Sequence, residues 1–145
     1  MSDRPHHPTL SVRGLDVAYR VRGQDHTVLR DLSFDIGHGE SFGLVGESGC
    51  GKSTAAMTIV RHLAGNARVR QGQVLLGGED ILTMTDARLR QIRAKGVAMV
   101  YQEPGRALNP SMRIERQMTE VYRLTGLAAD EARTAAGDML RRVQL

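Results

Sequence analysis

The chain has 145 residues, of which 41% are hydrophobic and 25% charged, with a formal net charge of +4. This balance is typical of one folded domain and excludes disordered and fibrous classes. No apolar run approaches the ~18 residues of a membrane-spanning helix. The polar N-terminus lacks the apolar segment of a secretory signal, and a single cysteine excludes an internal disulfide. The positive charge comes from arginine, a compositional bias that predicts no nucleic-acid partner.

The first part of the chain is patterned as strands. Residues 10–21 alternate loosely between apolar and polar side chains, and residues 28–36 form a second extended segment. The short apolar run at residues 41–45 is bounded by glycines. Such a run predicts a buried strand of a parallel sheet.

Helical spacing begins at Lys52 and predicts a helix that ends near Gly65. The predicted core face of this helix consists of Ala56, Met57, Val60 and Leu63. Residues 72–78 then predict a short strand and turn. Residues 86–95 predict a short helix capped by Asp86, and residues 97–101 predict a second buried strand.

Amphipathic helices follow Pro110. The first has its predicted apolar face at Ile114, Met118, Val121 and Tyr122. The second begins at Asp130, and its predicted inward side chains are Ala132, Ala136, Met139, Leu140 and Val143. The element order therefore predicts an α/β class with a helical addition.

Residues 46–53 satisfy the pattern G-x-x-x-x-G-K-[ST] without departure. Glycines let the backbone curl so that successive N–H groups point at a phosphate, and the helix that follows presents its positive end to the same anion. The lysine reaches the β- and γ-phosphates, and the hydroxyl after it ligates Mg²⁺. The predicted nucleotide-binding residues are Gly46, Glu47, Ser48, Gly49, Cys50, Gly51, Lys52, Ser53 and Thr54.

Two stretches resemble one family of P-loop proteins. Residues 44–54 resemble the Walker A motif of ABC transporter ATP-binding subunits. Residues 99–104, followed by residues 107–110, resemble the Q-loop pattern V-[FY]-Q-[ED]-P…LNP of the peptide/nickel importer branch. The resemblance extends from about Leu10 to Leu145. It implies a P-loop NTPase fold with an N-terminal antiparallel β segment.

The resemblance also divides the chain and assigns roles. It implies one partial nucleotide-binding domain, with a β and P-loop core at about 9–105 and the start of a helical subdomain at about 110–145. Tyr19 matches the A-loop aromatic that stacks on adenine, and Gln102 matches the Q-loop glutamine that ligates Mg²⁺. Lys52 and Gln102 are the implied catalytic residues, with ATP and Mg²⁺ as the cofactors.

The function that the resemblance implies is ATP-driven import of a peptide, a dipeptide or a nickel-like solute. Its implied partners are transmembrane permease subunits and a second ATP-binding subunit, at the cytoplasmic face of the cell membrane. A truncated, non-hydrolysing nucleotide-binding module is the alternative, and measured turnover would distinguish the two. A small-molecule or nucleoside kinase is a third possibility, which the Q-loop pattern opposes.

Some family motifs have no counterpart in this sequence. The signature sequence, the Walker B aspartate with its catalytic glutamate, the D-loop and the switch histidine are absent, and no four-residue apolar run after Gln102 ends in Asp-Glu. The sequence is therefore expected to be the N-terminal portion of an incomplete domain. We expect this portion alone to hydrolyse no ATP and to be poorly soluble, because the strand at Leu44 and Val45 would lack a neighbour on one flank.

Overall fold

A computed structural model describes residues 8–103, 105 and 108–144. The chain divides into two compact units, Met1–Thr85 and Asp86–Leu145. The elements in chain order are β1 (Leu10–Val21), β2 (Gln24–Ile36), α1 (Lys52–Ile59), β3 (Ala67–Leu76), β4 (Glu79–Asp80), α2 (Asp86–Lys95), α3 (Ile114–Leu124) and α4 (Ala129–Arg142). The boundary that the sequence predicts between the β and P-loop core and the helical subdomain, near residues 105–110, stays a prediction.

The first unit contains an antiparallel sheet with strand order β2-β1-β3-β4. Two-residue turns at 22–23 and 77–78 close the β1–β2 and β3–β4 hairpins, and their residues all have positive φ. That geometry matches the right-handed twist of the flanking strands. The sheet confirms the predicted antiparallel β segment. β3 begins five residues before the predicted 72–78, at Ala67, and β4 was not predicted.

The core of the sheet is centred on β1, which pairs on both sides. Val12, Leu15 and Val17 of β1 are at most 1% exposed, as is Val74 of β3. Ser11 is also buried, and its hydroxyl donates to the Asp35 carboxylate of β2. The cost of burying that polar side chain is thereby offset, because a buried hydroxyl needs a hydrogen-bond partner.

The two predicted buried strands, the first of which was predicted for a parallel sheet, are wrong in this structure. Residues 41–45 and 97–101 belong to none of the strands in the described ranges, and Val45 and Val100 are 90% and 92% exposed. A buried strand needs neighbours to complete its backbone hydrogen bonds, and an apolar run alone does not supply them. Phe42 is more constrained, since its ring stacks on Phe34 of β2 with centroids 4.6 Å apart.

Helix α1 is shorter than predicted, and it buries another face. The buried residues are Thr54, Ala55 and Thr58, not the apolar set Ala56, Met57, Val60 and Leu63. Threonine is tolerated there because Thr58 Oγ1 donates to Thr54 O, 2.7 Å away in the preceding turn. The helix ends at Ile59 rather than near Gly65 because Arg61, with a φ of 50°, reverses the chain.

The second unit begins with α2, which matches the predicted residues 86–95 and buries Leu89 and Ile92. Helices α3 and α4 pack on each other. Arg133 of α4 pairs with Glu115 of α3 at 2.8 Å. None of these helices, in the part of the chain that the structure describes, is long and apolar enough to cross a membrane.

The α3–α4 pair confirms part of the predicted apolar pattern. Ala132 and Ala136 of α4 are fully buried, as predicted, because small side chains let two helices approach closely. The inward positions predicted for Val121 and Val143 are wrong, since these side chains are 60% and 57% exposed. Ile114, also on the predicted apolar face, is 44% exposed. Two short helices bury only the stripe that they share.

Candidate functional site

The loop at residues 46–51 precedes α1 and uses positive φ angles. Gly46, Gly49 and Gly51 have φ angles of 156°, 83° and 100°. Gly51 is the N-cap of α1, and no side chain caps the helix there. The first backbone N–H groups of a helix have no partner within it, so uncapped they are donors for an anion. This backbone arrangement has the chemistry of a phosphate cradle.

Lys52 lies across the loop. Its Nζ donates to Gly46 O at 2.7 Å and to Glu47 O at 2.6 Å, and it lies 3.5 Å from Cys50 Sγ. In the described ranges no carboxylate pairs with this ammonium group. Its positive charge is therefore available to a phosphate, and a strongly hydrated ammonium suits that anion as a point charge.

The loop is held tightly against β2. A Cβ at Gly51 would lie 2.7 Å from Leu29 Cδ2 and 3.2 Å from Val28 O. Real Cβ atoms essentially never approach another heavy atom as closely as 2.7 Å. Gly51 thus permits both the positive φ and the close packing that fix the start of α1.

Tyr19 lies beside this helix start. Its hydroxyl is 3.4 Å from Thr54 Oγ1. A cleft of about 370 Å³ opens there, within the size range of small-ligand sites. The residues that line the cleft are Tyr19, Ser53, Thr54, Met57, His62, Leu63 and Ala64. The structure therefore brings the predicted base-stacking residue together with two of the predicted P-loop residues.

Four residues of this cleft were not predicted as part of the site: Met57, His62, Leu63 and Ala64. Met57 follows Ser53 by four positions, so helical spacing alone would have placed it on the same face. The others line the cleft because the chain reverses at Arg61. Glycine is the usual residue at such a reversal, and arginine gave no signal of it.

Gln102 lies in the second unit, at an exposed bend after α2. Its predicted role as an Mg²⁺ ligand stays a prediction. Two further residues of the Q-loop pattern, Pro104 and Ala107, lie outside the described residues.

The donor chemistry of the loop fits a phosphate-bound Mg²⁺ ion. No group of three or more His, Cys, Asp or Glu side chains that could hold a metal occurs in the described ranges. Mg²⁺ at nucleotide sites is held by only one or two protein oxygens, together with phosphate oxygens and water. The exposed Ser53 hydroxyl, at the first turn of α1, is an oxygen of that kind.

A larger cleft, of about 500 Å³, lies in the second unit along α3. Arginines 113, 116 and 133 line it together with Glu115, and Arg133 already pairs with that carboxylate. It contains none of the predicted phosphate-binding residues. The volume of a cleft therefore does not identify the predicted phosphate-binding site.

Comparison with known proteins places these features in a family. The probable D,D-dipeptide transport ATP-binding protein DdpD of Escherichia coli K12 is 43% identical over 140 residues, 95% of this chain and 43% of that protein. The oligopeptide transport ATP-binding protein OppD of Salmonella typhimurium is 36% identical over 143 residues, 98% of this chain and 42% of that protein. The chain therefore spans less than half the length of either relative.

A solved structure has the same fold. It is the dimeric post-hydrolysis state of the ATP-binding cassette MJ0796 bound to ADP and Pi, with a TM-score of 0.77 at 20% sequence identity. The match covers 94% of this chain and 57% of that one. It confirms the predicted α/β fold class. The sequence model of the ABC transporter family matches residues 29–145, and the chain belongs to that family.

Proposed function

We propose that this chain is the nucleotide-binding part of an ATP-binding subunit that energises the import of a peptide or dipeptide through a membrane permease. The observation that carries the proposal is the uncapped start of α1 with Lys52 lying across the loop before it. The names of the two relatives, a D,D-dipeptide and an oligopeptide transport ATP-binding protein, support the solute class.

The phosphates of ATP bind at residues 46–54 in this proposal. The backbone N–H groups at the start of α1 donate to phosphate oxygens, and Lys52 adds a positive charge beside them. The Ser53 hydroxyl at the first turn of α1 would hold Mg²⁺, which would supply neutralisation of phosphate charge when bound. The role of Gln102 as a second ligand rests on the family resemblance alone. Tyr19 presents its ring to the adenine base, which supplies binding without a hydrogen bond to the base.

The proposed partners are transmembrane permease subunits and a second ATP-binding subunit. The ATP-binding cassette with the same fold is a dimer, which supports the second of these. The proposed location is the cytoplasmic face of the cell membrane, held there peripherally by the permease. A nickel-like solute remains the other class that the Q-loop pattern implies.

Hydrolysis is proposed for the complete subunit and not for this chain by itself. Attack on the γ-phosphate requires a group that orients or deprotonates water. Asp130 and Glu131 are the one Asp-Glu pair after Gln102, and they lie in the first turn of α4. There Glu131 accepts a hydrogen bond from the Ala128 N–H at 3.2 Å. Glu131 therefore caps the start of α4, and the pair lies in a helix and not at the end of a strand.

The test of the proposal uses the two lysines of the chain. Lys52→Ala should weaken Mg-ATP binding by at least ~1–3 kcal/mol, because a charged hydrogen-bonding partner is lost. Lys95→Ala removes the same charge from the end of α2 and should bind as the wild type does. Equal affinities of the wild type and the Lys52 variant would refute the phosphate assignment.

Turnover is measured on the same proteins. We expect phosphate release from the wild-type chain to equal that of Lys52→Ala, because the water-orienting carboxylate is missing. Robust release that depends on Lys52 would contradict this expectation. It would also favour a hydrolytic machinery other than that of the family.

A further inference from the structure

The end of α1 forms part of the wall of the cleft beside Tyr19. Two hydrogen bonds close the helix: Arg61 N–H donates to Thr58 O at 2.8 Å, and His62 N–H donates to Met57 O at 2.7 Å. Because Arg61 has a φ of 50°, this is a Schellman closure with a non-glycine residue at its left-handed position. The chain reverses there and brings His62 to the cleft.

A side-chain contact holds this reversal in place. Arg61 Nη1 donates to Met84 O at 2.6 Å, which ties the end of α1 to the last residues of the first unit. A left-handed non-glycine residue is strained and persists where surrounding contacts determine it. The backbone of His62 is thus fixed at the cleft although the residue is exposed.

The lining of the cleft offers few polar atoms for a nucleotide base. Ser53 and Thr54 belong to the phosphate loop, and the Tyr19 hydroxyl is already within 3.4 Å of Thr54 Oγ1. The remaining lining side chains, apart from His62, are the apolar ones of Met57, Leu63 and Ala64. His62 carries the only nitrogen in the lining side chains, and a neutral imidazole has one donor and one acceptor.

We infer that His62 is a specificity-determining residue that hydrogen-bonds the polar edge of the base whose face stacks on Tyr19. The inference rests on the proposed function, because it takes the cleft as the base site next to the phosphate loop. A nucleobase has an apolar face and a polar edge, and the two residues supply one partner for each. Discrimination between bases then depends on His62, since a stacking ring accepts every base.

The discriminating variant is His62→Phe, which keeps a flat aromatic ring and removes both ring nitrogens. Binding of Mg-ATP should fall about fivefold to tenfold, the effect of one lost hydrogen bond. Inorganic triphosphate has no base, so its affinity should stay unchanged. The ratio of ATP to GTP affinity should also move towards one. His62→Asn, which retains a donor and an acceptor, should recover part of the ATP affinity.

Two outcomes would overturn the inference. ATP affinity in His62→Phe equal to that of the wild type would show that the ring nitrogens make no contact with the base. An equal loss for ATP and triphosphate would show that His62 acts through the structure of the loop. Failure of the proposed function gives a different result, since the wild type would then bind ATP no better than Lys52→Ala does.

Discussion

Replacing Gly51 by alanine tests how the phosphate loop is held. Gly51 is the N-cap of α1, with a φ of 100°. An added Cβ would approach Leu29 Cδ2 to 2.7 Å, Val28 Cγ1 to 3.2 Å and Val28 O to 3.2 Å. The Leu29 side chain can move, but the Val28 carbonyl belongs to β2 and cannot move without disturbing the sheet. We therefore expect Gly51→Ala to shift the loop and destabilise the first unit.

The expected loss in the free energy of unfolding of Gly51→Ala has two parts. A left-handed backbone costs a non-glycine residue ~1–2 kcal/mol, and an extra methyl group in a packed site costs ~1–3 kcal/mol. Gly49→Ala is the matched control, because Gly49 has a φ of 83° and an added Cβ there would meet nothing within 4 Å. Gly49→Ala therefore incurs only the cost of the left-handed backbone. The two variants should therefore differ by about 1–3 kcal/mol in the free energy of unfolding.

Urea denaturation, monitored by circular dichroism, measures this difference in the free energy of unfolding. A gap of about 2 kcal/mol corresponds to a midpoint about 1 M lower for Gly51→Ala than for Gly49→Ala, for a slope of ~2 kcal/mol/M. Phosphate binding should follow stability, with the Gly51 variant weaker towards inorganic triphosphate than the Gly49 variant. Identical midpoints for the two variants would refute the close packing of the loop against β2.

Three further predictions concern the sheet and Tyr19. Tyr19→Ala should weaken the binding of ATP by about 1–3 kcal/mol and leave the affinity for inorganic triphosphate unchanged. Tyr19→Phe should bind ATP nearly as the wild type does. Equal losses of affinity for both ligands in Tyr19→Ala would contradict base stacking. Gly72→Ala should lower the urea midpoint, because a Cβ there would lie 2.6 Å from Gly14 O and from Leu15 Cα of β1; an unchanged midpoint would contradict this approach. The hydrogen bond from Arg70, together with the charges of Arg70, Arg20 and Arg68, holds the pKa of Asp25 below its ordinary value of 3.8. The stability that this lowered pKa contributes is present above pH 3.8 and is lost as the pH falls further. Asp25→Asn should therefore flatten the acid end of a plot of Tm against pH at low salt, and an unchanged acid end would count against the Arg70 pair.

The features that the sequence predicted well depend on local patterns. Alternation in residues 10–21 marked β1, and Asp86 with two apolar positions marked α2 within its observed bounds, where Asp86 lies in the first turn and not at the predicted cap position. The glycine and lysine spacing marked the loop, whose backbone carries the positive φ angles that the motif requires. In each case the information lies within one turn or one strand.

The features that it missed depend on distant parts of the chain or on rare conformations. Residues 41–45 have the composition of a buried strand, yet burial needs a neighbouring strand that local pattern does not provide. Thr54 and Thr58 are buried in α1 although the apolar count of the helix favours another face, because burial depends on what packs against the helix. The left-handed Arg61 is set by its tertiary contact with Met84 O, so the position of His62 was not predictable.

Residue-by-residue amide hydrogen exchange, with and without Mg-ATP, measures whether the backbone of residues 46–54 binds phosphate. We expect slower exchange for the N–H groups of residues 46–54 on addition of Mg-ATP, because these groups become donors to phosphate. Lys52→Ala should reduce that protection at an Mg-ATP concentration that just saturates the wild type, and residues 129–142 of α4 should not respond in either protein. Protection confined to the second unit, or an unchanged loop in the presence of bound ATP, would contradict the assignment of residues 46–54 as the phosphate site.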